Sequence, residues 1–226
     1  MNTTESGAGT PQEATNFLYP FIDSQETDSG SLLTDLAASA QAKAAESAAL
    51  RRSSLEANAA LVDSAGAEMA RRFTAGGRLF TFGNGGSSTD SATLAALFAR
   101  PPLGRPLPAW CLTADQAILT ALGNDVGFEL VFARQLIARA GAGDIAIAMS
   151  TSGNSADLTH ALREARRRGL YTIGFAGYDG GAFASSADVD ACFVVRSQSV
   201  HRIQEAQALL GYQLWSTVHK KGNVGS

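Results

Sequence analysis

Little in this chain points to chemistry carried by reactive or charged side chains. Its 226 residues include two cysteines, three histidines and six prolines, and Asp, Glu, Lys and Arg together make up only 17%. Cys111 and Cys192 each lie inside an apolar, strand-like run. Two such thiols are too few for a disulfide framework or a cysteine metal site, and they read as small core residues. No apolar run approaches the length of about 18 residues that a bilayer-spanning helix needs, so no membrane association is expected. The formal charge of −3 gives no general nucleic-acid surface. The first residues are polar and show no basic-then-apolar leader pattern, so the cytoplasm is the expected compartment.

What is present is apolar residues, at 45%, and glycine, at 23 positions. That balance suits one α/β domain with a real core. Residues 1–30 are mostly polar and are expected to be a disordered extension, interrupted by an apolar cluster around Pro20 (Phe17, Leu18, Tyr19, Phe21, Ile22). That cluster can dock on the domain or on a protein partner. Residues 31–221 read as a single domain and 222–226 as a flexible end. Leu32 to about Phe73 reads as two Ala-rich helices, stopped at Gly76-Gly77.

Beyond them, strands alternate with helices. Strands are expected at 78–82, 109–112, 145–149, 171–176 and 191–195, and helices at 88–99, 115–122, 128–140, 155–168 and 201–220. The strand Ile145 to Met149 is built only of Ile, Ala and Met, as in a strand covered on both faces. The alternation means βαβ units and a parallel sheet with right-handed crossovers. Ligands in such sheets bind at the carboxyl ends of the strands.

Two segments sit at such ends: Gly83-Asn84-Gly85-Gly86-Ser87-Ser88 and Ser150-Thr151-Ser152-Gly153-Asn154-Ser155. Each follows a strand and precedes a helix. Their backbone N–H groups and hydroxyls, at a helix N-terminus, favour an anion, so a phosphorylated small molecule is the expected ligand. The first is not a dinucleotide fingerprint, because Ser88 stands where a third glycine or an alanine is needed and nothing acidic lies between Asp90 and Asp115. It is not a Walker loop, because it has no lysine. In the second, Ser152 and Thr151 can bind phosphate oxygens and Ser155 suits an N-cap. No Lys or Arg adjoins it, so neutral donors and the helix dipole would hold the anion.

These segments, with Gly123-Asn124-Asp125-Val126-Gly127-Phe128, Tyr178-Asp179-Gly180-Gly181 and Arg202-Ile203-Gln204-Glu205, resemble the sugar isomerase (SIS) domain of the phosphoheptose isomerase type. The resemblance covers about residues 32–220. It implies a flavodoxin-like, five-stranded parallel sheet with helices on both faces, an Ala-rich helical N-terminal arm, and a homotetramer (or homodimer) with sites between subunits. It implies that Asn84, Gly85, Gly86, Ser87, Asn124 and Asp125 contact a sugar phosphate such as sedoheptulose 7-phosphate. Ser150, Thr151, Ser152 and Ser155 would take its phosphate, and Gln204 would face the reacting end.

Aldose–ketose isomerisation passes through an enediol and needs a base at carbon and an acid or metal at oxygen. In the phosphoheptose isomerases a His, a Glu, a Gln and a second His gather around zinc. Here the matching residues are Thr93, Leu97, Gln204 and Tyr212. No metal site and no cofactor are therefore expected. His201 and Glu205, spaced i, i+4 beside Gln204, are either an exposed pair or a substitute acid and base. Asp90 either complements a helix dipole or belongs to the site. Asp115 reads as a cap, His160 and His219 as surface residues, and the run Arg163, Arg166, Arg167, Arg168 as a solvated helix face. Three functions remain: a sugar-phosphate-binding regulatory or adaptor protein, an active isomerase, and a structural oligomer.

Overall fold

A computed structural model describes residues 29–222. The expectations for residues 1–28, including the apolar cluster around Pro20, and for 223–226 lie outside the described residues. The chain divides into two compact units at Glu46/Ser47. In the first, the described residues form the opening turns of helix α1 (Ser29–Thr74), with Leu33 and Leu36 exposed. The second carries the sheet.

The expected pair of Ala-rich helices is one continuous helix, α1. Between Leu32 and Phe73 there is no proline and a single glycine, Gly66. Nothing in that stretch breaks a run dominated by the best helix former. The end falls where expected. Gly76 turns left-handed at φ 88°, and the N–H groups of Gly76 and Gly77 close onto the carbonyls of Phe73 and Arg72.

The strands are β1 (Leu79–Gly83), β2 (Ala109–Cys111), β3 (Ile145–Met149), β4 (Tyr171–Gly177) and β5 (Ala191–Val195). They form one all-parallel sheet in the order β2-β1-β3-β4-β5. The remaining helices are α2 (Gly86–Ala99), α3 (Gln116–Asp125), α4 (Val131–Arg139), α5 (Ala156–Arg167), α6 (Gly181–Ser185) and α7 (Val200–Gly222), with a 3₁₀ turn at Phe128–Leu130. The 128–140 helix is thus a tight turn followed by a helix, and α6 was not foreseen.

Strand alternation divides the core into two layers. Leu79, Ile145, Ile147, Met149, Ile173, Phe175 and Phe193 face the layer of α1, α2 and α7. Phe80, Phe82, Ala146, Ala148 and Ala176 face that of α4, α5 and α6. Each large apolar side chain removed from water contributes about 1.5–3 kcal/mol, and both layers are continuous. The amino ends of β1 and β3 are tied by Asp144, which is buried. It accepts from the backbone N–H of Arg78 (2.8 Å) and Gly141 (2.9 Å) and from the Arg78 guanidinium (2.7 Å).

The arginine run at the end of α5 is the solvated face expected of it, and its members are ion-paired. Arg163 meets Asp188, Arg166 meets Asp190, and Arg167 and Arg168 meet Glu164. His219 is not a plain surface residue. Its ring nitrogens lie 3.1 Å from the carbonyls of Trp215 and Arg105, pinning the proline-containing connection to α7.

Candidate functional site

The chain order reverses between β1 and β3. The connection after β1 leads through α2 to β2 on one side, and that after β3 leads through α5 to β4 on the other. Such a switch point opens a crevice at the carboxyl ends of the two strands. Gly83 is paired with Met149 across them, so the two Gly/Ser-rich loops start side by side. They are also joined. Asn84 donates through Nδ2 to both carboxylate oxygens of Asp157, at 3.1 and 2.9 Å, and Asp157 is buried in the first turn of α5. The sequence reading missed Asp157. Its only signal was an acidic residue in the first turn after a hydroxyl-rich loop.

The second loop is organised by its own hydroxyls. Ser150 Oγ accepts from the N–H of Gly153 (2.9 Å) and Ser152 (3.3 Å), and Ser152 Oγ accepts from Asn154 N (3.3 Å). Ser150 is buried, so its oxygen shapes the turn. Asn154 Oδ1 accepts from Ala182 N at 2.8 Å, and Phe183 N donates to Gly153 O at 3.2 Å. The first turn of α6, which follows Tyr178-Asp179-Gly180, thereby braces the loop. Gly153 sits at φ 69°, with its α-carbon against Gly180 O, which leaves no room for a side chain.

Ser155 lies at the N-cap of α5 but makes no capping bond, contrary to the cap expected of it. The first N–H groups of α5 have no partner within the helix. Thr151 is held through its carbonyl, which accepts from Gly177 N at 3.0 Å, and among the described residues no bond of the turn uses its hydroxyl. Beside these donors lie the exposed Gly85 and Gly86, while Ser87 is buried.

Helix α7 closes the site. Gln204 packs its amide over Gly86, where a Cβ would strike it, and donates through Nε2 to Asp90 Oδ2 at 3.2 Å. Burial pushes the Asp90 carboxyl above its ordinary range, and the bond from Gln204 opposes that rise. One turn on, Gln207 is fully buried and donates through Nε2 to Ser150 O at 2.7 Å. Gln207 was missed as well, although it is a polar residue on the apolar face formed by Ile203, Leu210 and Leu214. A pocket opens between α2 and α7, lined by Asp90, Thr93, Leu97, Met149, Gln207 and Tyr212 among others.

The other expected site residues stand elsewhere. Asn124 and Asp125 are exposed at the end of α3, where Asn124 Nδ2 donates to Asp125 Oδ1 at 2.8 Å. Among the described residues no bond joins them to either loop. His201 and Glu205 are exposed on α7, and no ion pair joins them among the described residues. Glu205 instead accepts from Ser47 Oγ of α1. Asp115 caps α3, accepting from Ile118 N at 3.1 Å.

The model of the SIS domain family matches residues 44–177, which span both loops and the first four strands. The chain belongs to the SIS domain family. A phosphoheptose isomerase from Solidesulfovibrio magneticus is 44% identical over 175 residues, covering 76% of this chain and 84% of that protein. One from Aquifex aeolicus is 44% identical over 162 residues, covering 71% and 83%. Among solved structures, the phosphoheptose isomerase from Neisseria gonorrhoeae superposes with a TM-score of 0.76 at 32% identity, covering 82% of this chain and 99% of its own. The enzyme from Francisella tularensis gives 0.76 at 27% identity, covering 80% and 97%.

The zinc implied by that resemblance can be tested against the donors of this SIS domain. Thr93 is exposed and its hydroxyl donates to Thr89 O at 2.9 Å. Leu97 has no donor atom, and the Gln204 amide is engaged with Asp90. No group of three or more His, Cys, Asp or Glu able to hold a metal ion occurs among the described residues. These side chains do not fit zinc, whose sites use thiolate, imidazole and carboxylate.

Proposed function

We propose that this SIS-domain protein binds a phosphorylated sugar at its two loops and acts as a binding, regulatory or adaptor protein without zinc-assisted isomerisation. The single observation that carries this reading is the composition of the pocket next to the loops. Thr93, Leu97 and Tyr212 face it together with Asp90 and Gln207. None of the first three is a base at neutral pH. The adjoining α5 N-terminus, with Thr151 and Ser155, supplies donors suited to a phosphate dianion.

A second reading, an aldose–ketose isomerase acting on sedoheptulose 7-phosphate or a related sugar, is favoured by the 44% identity to proteins named phosphoheptose isomerase. Its acid–base residues would have to lie at the pocket. His201 and Glu205 do not line it, whereas Asp90 does and has a raised pKa. In that reading Asp90 would move the proton and Gln204 would hold it in place.

The experiment that separates the readings is incubation with ketose and aldose phosphates in deuterated water. Binding without exchange of the C1 or C2 hydrogen supports the first reading. Exchange abolished by Asp90→Asn supports the second. We also propose, from the resemblance, a single SIS domain over residues 31–221 and a homotetramer (or homodimer), and, from the sequence itself, a cytoplasmic location and an N-terminal extension over residues 1–30 whose apolar cluster docks on the domain or on a protein partner.

A further inference from the structure

The amino ends of the strands, at the opposite edge of the sheet from the two loops, carry a cleft of their own. Its walls come from the turn after α1, the turn before β3 and Gly169 before β4, together with Arg71 and Arg72 in the last turn of α1. Its volume is about 200 Å³. Apart from the two arginines and Asp144, every residue of the wall is Gly or Ala, so backbone rather than side chains frames it.

One pattern, Glu-x-x-Arg-Arg, closes both helices that end beside this cleft. In α1 it is Glu68, Arg71 and Arg72. At the end of α5 it is Glu164, Arg167 and Arg168, directly before Gly169. The Glu68 carboxylate accepts from Arg71 Nε (2.8 Å), Arg71 Nη2 (2.7 Å) and Arg72 Nε (2.6 Å). Glu164 accepts from Arg168 Nε (2.6 Å) and lies 3.2 Å from Arg167 Nε. Each cluster sets two guanidinium groups against one carboxylate, which leaves one positive charge uncompensated. Asp144, the acid in the wall itself, is taken by Arg78. Basic groups in a last turn complement the helix dipole. That accounts for the charge but not for an open cleft beside it.

The arginines of α1 keep donors in reserve. A guanidinium offers five N–H groups. Arg72 spends Nε on Glu68 and Nη1 on the carbonyls of Asp144 and Gly169, both at 3.1 Å, and lies over the Tyr171 ring, 5.5 Å from its centre. These contacts fix it against the wall and leave Nη2 unclaimed among the described residues. Arg71 likewise leaves Nη1 unclaimed. Both side chains bond the same oxygen, Glu68 Oε1, so the two guanidinium groups stand side by side.

We propose that this amino-edge cleft is a second anion site, remote from the loops, that takes a phosphate or diphosphate group through Arg71 and Arg72. Guanidinium edges hold phosphate oxygens in pairs. Arg72 is already ordered by its carbonyl bonds, so little side-chain freedom is lost when the anion arrives. The Gly and Ala walls let the anion's oxygens come close.

The test is calorimetric titration of the full chain with pyrophosphate. Three forms are compared: wild type, a Thr151→Val, Ser155→Ala variant that lacks the loop hydroxyls, and that variant with Arg71→Gln added. The Arg71 side chain is 66% exposed, so its substitution leaves the fold intact. Saturable binding should persist in the loop variant and weaken about tenfold or more when Arg71→Gln is added, the worth of one hydrogen bond between charged groups. Inorganic phosphate is titrated alongside, and the tighter binder of the two names the group held. No binding of either anion by the loop variant overturns the proposal and leaves the loop reading standing. Binding unchanged by Arg71→Gln overturns it as well, because the anion then lies elsewhere.

Discussion

Removing the Asn84 side chain probes the joint between the two loops. Asp157 is 4% exposed, and both its oxygens accept from one amide nitrogen, at 3.1 and 2.9 Å. A hydrogen bond to a charged group contributes about 1.5–3 kcal/mol, and leaving the buried charge without it adds desolvation cost. The helix dipole still favours Asp157 in Asn84→Ala, by about 0.3–1 kcal/mol, so some stabilisation survives. The expected loss is about 2 kcal/mol, which for a chain of this size corresponds to a drop in midpoint of about 4–8 °C. The assay is denaturant unfolding of wild type, Asn84→Ala, Asp157→Ala and the double variant at one protein concentration. The cycle should give a coupling above about 1 kcal/mol. Additive losses, or a loss below about 0.5 kcal/mol, would refute the idea that this contact fixes the loops against each other.

Gly153→Ala should cost at least about 2 kcal/mol, because a left-handed φ of 69° and the Gly180 carbonyl both resist a Cβ; a midpoint within a degree of wild type would contradict this. Asp144→Ala should lose about 3–5 kcal/mol by unpairing Arg78 and two backbone N–H groups, measurable as poor expression or a large fall in midpoint. The Glu68 carboxyl is held at about 2, mainly by its hydrogen bond from Arg71, with Arg72 adding and burial opposing. A depressed folded pKa means stability that is complete above 4.5 and lost as pH falls toward about 2. The urea midpoints of wild type and Glu68→Gln should therefore converge over that window, and a constant gap would be the wrong result. Burial pushes the Cys192 thiol up to about 11, so it should resist alkylation at neutral pH until the protein is unfolded.

The sheet was legible because each strand is an apolar run bounded by polar or glycine punctuation. Ile145–Met149 and Ala191–Val195 fall where the sequence places them, β2 and β4 differ by one residue at one end, and β1 is shifted by one residue at both. The long helix was misread as two because Ala-rich sequence carries no strong apolar stripe to show where one helix would stop. The loops were recognisable by composition, but their internal economy was not. Whether Ser150 faces a ligand or its own turn depends on N–H groups two and three residues away, positioned by the brace from Ala182 and Phe183 of α6. Asp157 meets Asn84 across 73 positions, and Gln204 meets Asp90 across 114. Such contacts follow from strand order, which no local pattern states. Gln207 was the readable omission, since a polar residue on a helix face otherwise made of Ile, Ala and Leu must find a partner in the core.

The central claim is that the α5 N-terminus, with the hydroxyls of Thr151 and Ser155, holds the phosphate of a sugar. The most direct measurement is calorimetric titration of sedoheptulose 7-phosphate into the wild-type chain and into a Thr151→Val, Ser155→Ala variant. The account predicts saturable binding by wild type and at least about a tenfold loss in the variant, the worth of one to two hydrogen bonds to a charged group. Undiminished binding by the variant, or no binding by a folded wild-type protein at millimolar ligand, would contradict it.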